Sequence, residues 1–185
     1  VDGAGKTTFA DELAAACRPT WPGPVVRASV DGFHHPAAHR HALGRTAESF
    51  WSRSFDHAAF RSVLVDPWRW GPGASYRVAV HDVATDRALD VPADVVPPEG
   101  LLLVDGIFLQ REELRDAWDL VVFLDVPFEV SVPRMAQRDA SDPDPRAPSQ
   151  ARYVDGQRIY LATCDPRSRA DVVVDNSDLS RPRLG

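Results

Sequence analysis

Apolar residues in this sequence fall into short, nearly unbroken blocks separated by stretches with helical spacing. The four most apolar blocks cover residues 25–30, 101–104, 120–126 and 170–174. Strands buried on both faces of a parallel sheet have this composition. The 3.6-residue spacing of apolar positions predicts helices over residues 6–17, 47–65 (as two short helices), 114–118, 130–138 and 153–162. The alternation predicts an α/β fold: a mainly parallel sheet between two layers of helices.

Two further segments have different patterns. Residues 76–91 alternate in polarity and predict a β-hairpin that turns at residues 85–87. Residues 139–148 are polar, contain three prolines and show no core-forming pattern. The aromatic, Gly- and Pro-rich residues 68–73 predict a turn.

Composition narrows the class of protein. The chain has 185 residues, of which 44% are hydrophobic and 26% charged, and we expect one domain over residues 1–185. A net charge of −6 argues against a general nucleic-acid-binding protein. No apolar run has the ~18–20 residues of a membrane span. Cys17 and Cys164 lie far apart, which predicts reduced thiols and a cytoplasmic location.

The first eight residues, Val-Asp-Gly-Ala-Gly-Lys-Thr-Thr, match the phosphate-binding pattern GxxxxGK[ST] without its opening glycine. Gly3 and Gly5 allow backbone conformations in which successive N–H groups point at phosphate oxygens. Lys6 would bridge the β- and γ-phosphates of ATP, and the N-terminus of the following helix would add its dipole. The predicted nucleotide contacts are Asp2, Gly3, Ala4, Gly5, Lys6, Thr7 and Thr8, with Thr7 also a ligand of Mg²⁺.

The alternative for these residues is a chance Gly-rich turn before a helix. A second element argues against it: the apolar block 101–104 ends in Asp105, as in the strand that carries a Mg²⁺-binding acid beside a phosphate loop. Asp105 could also be a turn residue that ends a strand. In such folds the phosphate loop follows a central first strand, and we expect that strand and the missing glycine to precede Val1.

Several ordered segments make the sequence resemble the uridine kinase/phosphoribulokinase group over nearly its whole length. These segments, besides the opening motif, are Asp31-Gly32-Phe33-His34, Ser54-Phe55-Asp56-His57 with Phe60, Tyr76 with His81, Val104-Asp105-Gly106-Ile107, and Arg134 to Asp139. The resemblance implies a P-loop kinase fold with a substrate-side hairpin at about 76–91 and a lid at about 139–148. It also implies a small-molecule substrate and the cofactors ATP and Mg²⁺.

The resemblance implies specific roles for individual residues. Asp31 would be the catalytic base, with Lys6 and Arg138 as further catalytic residues on the transferring phosphate. Residues assigned to the substrate are His34, Asp56, Tyr76, His81 and Arg134. Arg134 would, like Arg138, face the transferring phosphate from the lid. Local structural roles compete with each of these: a turn for Asp31, a helix N-cap for Asp56, hairpin packing for Tyr76 and His81, and an exposed helix face for the arginines.

The composition of the lid leaves the acceptor open, and a cluster of histidines needs a separate interpretation. The lid carries Asp142-Pro143-Asp144-Pro145 where the family has a basic run, although Arg146 and Arg152 could supply charge. Four histidines, His34, His35, His39 and His41, suggest a metal site, but their spacing matches no zinc signature and a polar loop over the substrate is the preferred interpretation.

The leading hypothesis is phosphorylation of the 5′-hydroxyl of a nucleoside, uridine or cytidine. The alternatives are a sugar, phosphosugar or pantothenate-like acceptor, or a catalytically silent nucleotide-binding module. The expected partners are a small-molecule substrate and a second copy of the chain in a homo-oligomer, with no nucleic acid and no membrane.

Overall fold

The computed structural model describes residues 1–185, with seven helices and nine strands. The helices are α1 Lys6–Cys17, α2 Ala37–His41, α3 Ala47–Arg53, α4 His57–Phe60, α5 Asp66–Trp70, α6 Phe128–Asp139 and α7 Ala151–Cys164. The strands are β1 Val25–Ser29, β2 Ser75–Tyr76, β3 His81–Asp82, β4 Arg87–Ala88, β5 Asp94–Val95, β6 Leu101–Asp105, β7 Val122–Asp125, β8 Val172–Asp175 and β9 Arg183–Leu184. Tighter 3₁₀ turns cover Val30–Phe33 and Glu112–Leu114, and a wider π-helical turn covers Arg61–Val65.

The chain forms two compact units. The first consists of Val1–Lys6, His41–Arg53 and Gln110–Gly185, and the second of Thr7–Arg40 and Ser54–Leu109. The expectation of one kinase domain over residues 1–185 stays a prediction. No helix is both long enough and apolar enough to span a bilayer.

All four apolar blocks form strands, and they pair in parallel as the sequence predicts. In the second unit, β1 pairs with β6, and Ser29 lies opposite Asp105. In the first unit, β7 pairs with β8, and Asp125 lies opposite Asp175. The short strand β9 adds to β8 in the antiparallel direction. Each parallel pair therefore ends in polar residues at its carboxyl edge, where α/β proteins bind ligands.

Helices α3 and α7 pack closely in the first unit because α7 has a glycine at the contact. A Cβ atom on Gly156 would lie 2.7 Å from the Phe50 ring and 2.9 Å from the Ala47 carbonyl oxygen. Phe50 also meets Tyr153 edge to face, with ring centroids 5.1 Å apart. In the second unit the core centres on Phe33, which meets Phe60 edge to face at 5.0 Å.

The structure corrects several predicted boundaries. No helix covers the expected range 114–118: a 3₁₀ turn at Glu112–Leu114, in which the Leu114 N–H donates to the Arg111 carbonyl, ends where that range begins. Two helices were expected over 47–65, but α3 is followed by α4, a π-helical turn and α5, which runs to Trp70 into the expected turn. The 76–91 hairpin is two short antiparallel ladders, β3–β4 and β2–β5, the latter reaching Val95.

Candidate active site

The phosphate loop, residues 1–5 ahead of helix α1, has the backbone shape that its glycines predict. Gly3 has a φ of +72° and Gly5 a φ of +84°, a region that residues with a side chain rarely adopt. A Cβ atom on Gly3 would lie 2.0 Å from the Ser131 carbonyl oxygen of α6. No other residue therefore fits at this position without moving backbone.

Two buried amide side chains hold this loop within the first unit. Gln157 of α7 accepts a hydrogen bond from the Asp2 N–H at 2.5 Å. Asn176, which follows β8, donates from Nδ2 to the Ala4 carbonyl at 2.7 Å. The exposed fractions of Gln157 and Asn176 are only 2% and 3%. Both contacts are neutral, so they restrain the loop without placing a negative charge beside it.

Lys6 begins helix α1 and turns back toward the loop. Its Nζ donates to the Val1 carbonyl at 2.8 Å and lies 3.8 Å from the Asp2 carboxylate. Lys6 is also the single lysine in a chain with twenty arginines. A lysine supplies a compact point charge on a flexible stem, which suits contact with the terminal phosphates of a nucleotide.

Thr7 follows Lys6 in the same helix and contacts the acid at the end of β6. Its hydroxyl donates to Asp105 Oδ2 at 2.8 Å. The other oxygen, Oδ1, accepts from the Arg27 guanidinium at 2.9 Å. Arg27 lies on β1 and also pairs with Asp11 of α1 at 3.0 Å. A hydroxyl beside a carboxylate is a set of hard oxygen donors, which fits Mg²⁺.

Asp31 lies in the 3₁₀ turn that follows β1, and its side chain is exposed. Its N–H is capped by the Ser29 hydroxyl at 3.2 Å. The Asp31 carbonyl is 2.9 Å from His34 Nδ1. Because a carbonyl can only accept, Nδ1 must carry the hydrogen, which leaves Nε2 of the neutral ring as an acceptor. Burial lowers the pKa of His34, which favours that neutral ring.

Three more residues of the second unit were predicted to contact the substrate, and each has a partner within that unit. Asp56 caps α4, accepting from the Ala59 N–H at 2.9 Å, and lies 3.8 Å from the His35 ring. Tyr76 is 4% exposed and packs edge-on against Trp68, and its burial raises its pKa. His81 is also buried, with Nε2 3.4 Å from the Asp86 carboxylate. Their roles with a substrate stay predictions.

Both arginines predicted to face the phosphate have contacts inside the first unit. Arg138, near the end of α6, forms a bidentate ion pair with the adjacent Asp139. Its Nε and Nη2 donate to the two carboxylate oxygens at 2.6 and 2.7 Å. This hydrogen bonding lowers the pKa of the Asp139 carboxyl. Arg134, one turn earlier, donates to the backbone carbonyls of Asn176 and Ser177 at 3.0 and 2.5 Å. Direct phosphate contact stays a prediction for both.

The segment predicted to be a lid, residues 139–148, starts at Asp139, the last residue of α6, and continues with Ala140 in the left-handed conformation. Gln150, which is almost fully buried, follows this segment in the chain. Its side-chain amide donates to the Ser141 hydroxyl and the Asp142 carbonyl near the start of the segment. Within it, Arg146 pairs with Asp144 at 3.1 Å and thereby lowers the pKa of that carboxyl. Of the two acidic residues at positions 142–145, Asp144 is therefore paired with an arginine of the same segment.

The histidine-rich segment does not gather around a common centre. His34 packs against Phe55, while His35 stacks on His39 with ring centroids 3.9 Å apart. No group of three or more His, Cys, Asp or Glu side chains could hold a metal ion. These contacts give no support to the alternative of a histidine metal site.

Three residues hydrogen-bond to predicted site residues but were not predicted themselves: Arg27, Gln157 and Asn176. Arg27 had a visible signal, since a charge inside an otherwise apolar strand needs a partner carboxylate. Gln157 and Asn176 had none, because their contacts with residues 2 and 4 join segments more than 150 residues apart in the chain.

Comparison with solved structures shows which fold this is. The chain is similar to a possible uridine kinase from Bacillus stearothermophilus, with a TM-score of 0.69 and 24% identity over 92% of this chain and 82% of that one. It is also similar to a candidate fructose transport system kinase from Silicibacter sp. TM1040, with a TM-score of 0.65 and 23% identity over 88% and 81%. No protein-family model matches the sequence. The fold is therefore that of the P-loop kinases, with the α/β architecture that the sequence predicts.

Proposed function

We propose that the chain is a kinase that transfers the γ-phosphate of ATP to a hydroxyl group of a small molecule. The observation that carries the proposal is the 2.8 Å hydrogen bond between Thr7 and Asp105. It joins the residue after the phosphate-loop lysine to the strand-end acid, and these are the two protein groups that hold Mg²⁺ in P-loop enzymes.

Each residue has a role in this proposal. The backbone amides of residues 3–7 bind the β- and γ-phosphates, and Lys6 neutralises their charge. Mg²⁺, bound through Thr7 and Asp105, would supply further charge neutralisation. Asp31 orients the acceptor hydroxyl and accepts its proton, and Arg138 contacts the transferring phosphate from the lid. Phosphoryl transfer depends mainly on such alignment and charge stabilisation, so a carboxylate suffices as base.

For the acceptor, we place a nucleoside 5′-hydroxyl first. The ordered motifs that resemble uridine kinases support this choice, and one of the similar structures is described as a possible uridine kinase. His34, Asp56, Tyr76 and His81 would contact the nucleoside, with Asp56 accepting from the ribose hydroxyls.

A sugar is the second candidate, and a specific observation favours it. Tyr76 and His81, which would contact the base, are 4% and 5% exposed, so little of either side chain is available for stacking. A smaller acceptor would need neither of them. The second similar structure, described as a candidate fructose transport system kinase, agrees with a sugar.

The test is ADP release measured with a panel of acceptors: uridine, cytidine, fructose, ribulose 5-phosphate and pantothenate. We expect turnover with a nucleoside and none without an acceptor. Turnover with fructose or ribulose 5-phosphate alone would select the second candidate. If no hydroxyl compound stimulates ADP release although MgATP binds, the silent nucleotide-binding module becomes the better account.

A further inference from the structure

The contacts of Arg134 and Asn176 form a continuous path from helix α6 to the phosphate loop. Arg134 donates from Nη1 to the Asn176 carbonyl at 3.0 Å and from Nη2 to the Ser177 carbonyl at 2.5 Å. The Asn176 side chain then donates to the Ala4 carbonyl at 2.7 Å. Every group in this path belongs to the first unit.

Asn176 is placed for this contact by regular structure. It directly follows β8, and its N–H reaches the Asp125 carbonyl of β7 at 3.4 Å, which extends the parallel ladder by one step. Its side chain is 3% exposed, and a Cβ atom on Gly5 would lie 2.8 Å from its Nδ2. The amide must face Ala4 with its nitrogen, because a carbonyl oxygen can only accept. The residue therefore holds the Ala4 carbonyl and leaves no room for a side chain at Gly5.

The direction in which Ala4 is held matters for anion binding. A loop binds phosphate when its N–H groups point inward, which requires that its carbonyls find partners elsewhere. Asn176 provides that partner for the Ala4 carbonyl, and Ala4 itself is fully buried. Without Asn176, the peptide group between Ala4 and Gly5 would lose a buried hydrogen bond and could rotate.

We propose that Arg134 and Asn176 are positioning residues that keep the phosphate loop in its nucleotide-binding shape, and that Arg134 acts through Asn176 and not by touching phosphate. Both nitrogen termini of the Arg134 guanidinium already have backbone acceptors within 3.0 Å. This inference rests on the proposed function, since it assumes that the loop binds a nucleotide. It assigns to Arg134 a role different from the substrate contact that the family resemblance implies.

The test is a set of MgADP titrations by calorimetry on the full-length protein. We expect Asn176→Ala and Arg134→Ala each to weaken MgADP binding by about 10- to 100-fold, the equivalent of one buried hydrogen bond lost. Arg134→Lys should be intermediate, because an ammonium cannot serve both carbonyls in the geometry of a guanidinium fork. Asp178→Asn, an exposed change in the same loop, is the matched control and should bind normally.

The double variant decides whether the two residues act together. If Arg134 acts through Asn176, the Kd of the double variant for MgADP should be at most about threefold higher than that of whichever single variant binds MgADP less tightly. Independent roles would instead make the two effects multiply. An Arg134→Ala protein with normal MgADP affinity and a lowered kcat would overturn the proposal, since it would indicate direct contact with the transferring phosphate.

Two controls keep the outcome unambiguous. Circular dichroism and the thermal midpoint without nucleotide establish that each variant is folded, and Arg134→Lys carries the test if an alanine variant is not. If the unmodified protein does not bind MgADP, the proposed function fails. If it binds MgADP and Asn176→Ala binds equally well, only the present inference fails.

Discussion

The phosphate loop and the carboxylate at the end of β6 are held in place by opposite kinds of contact. Apart from the contact of Lys6 with Val1 and Asp2, the loop is fixed by neutral groups: two buried amide side chains, a backbone carbonyl against Gly3, and its own glycines. Asp105 is fixed by charge, with Arg27 on one oxygen and the Thr7 hydroxyl on the other.

The difference follows from what each region binds in the proposed function. A loop that attracts phosphate through its N–H groups would lose affinity if a carboxylate were used to fix it. A carboxylate proposed to bind Mg²⁺ carries charge itself, and a charge in a buried position needs a charged or hydrogen-bonding partner, which for Asp105 is the Arg27 guanidinium. Because different contacts hold the loop and Asp105, single substitutions can test each region separately.

Replacing Lys6 with alanine removes the lysine ammonium that contacts the loop. We expect kcat to fall by about 100- to 1,000-fold, as for the loss of one preorganised group that stabilises transition-state charge. The measurement is ADP release with the best acceptor of the panel. Lys6→Arg is the control, because it keeps the charge but not the compact shape, and should recover only part of the rate. Normal turnover by Lys6→Ala would exclude the kinase mechanism.

Replacing Arg27 with methionine leaves Asp105 with Thr7 as its remaining hydrogen-bond donor. The side chains of Arg27 and Asp105 are only 17% and 6% exposed, so this pair lies largely away from solvent. We expect the free energy of unfolding to fall by about 2–3 kcal/mol in urea titrations.

The matched control for Arg27 is Arg158→Met. Arg158 pairs with Asp155 at the same 2.9 Å, but its side chain is 60% exposed. That change should cost less than about 1 kcal/mol. Equal losses from both changes would mean that burial does not strengthen the Arg27–Asp105 pair.

Gly3→Ala tests the neutral side of the comparison. Both Gly3 and Gly73 have a positive φ, but a Cβ atom at Gly73 would meet nothing within 4 Å. We therefore expect Gly73→Ala to cost about 1 kcal/mol in unfolding free energy from backbone strain alone. Gly3→Ala should cost at least 1 kcal/mol more, because its Cβ would collide with the Ser131 carbonyl. Indistinguishable losses would show that α6 does not restrain the loop.

The smallest expected effect is a pH dependence from His34. Burial lowers its pKa in the folded state, so below the ordinary value near 6.5 the unfolded chain binds a proton that the folded chain does not. Its contribution to stability is therefore lost as the pH falls from 6.5 toward the folded pKa. His34→Gln should reduce the difference between unfolding free energies measured at about pH 7.5 and 5.5. An unchanged difference would contradict this assignment.

The parts of the fold that the sequence predicts are those coded locally. The four buried strands are recognisable as apolar blocks, and the phosphate loop needs its glycines at fixed positions. The helix expected over 114–118 is wrong because a five-residue pattern cannot specify a helix, and regular structure in this part of the chain is limited to the 3₁₀ turn at Glu112–Leu114.

The contacts that shape the site depend instead on which distant segments meet. Arg27 lies opposite Leu103 only because of the β1–β6 register, and that register brings its guanidinium to Asp105. Asn176 reaches Ala4 across 172 positions of the chain. Neither partner can be chosen from spacing in a single sequence, although the unexpected charge in β1 signals that one exists.

Because Lys6 is the single lysine, its contact with a nucleotide can be observed directly. The measurement is acylation of the Lys6 amine by an amine-selective reagent, quantified by peptide mass spectrometry with MgATP, with AMP, or with neither. We expect MgATP to protect Lys6 strongly and AMP, which lacks the β- and γ-phosphates, to leave it reactive. Equal labelling of Lys6 in all three samples would contradict the claim that this loop binds the terminal phosphates of ATP.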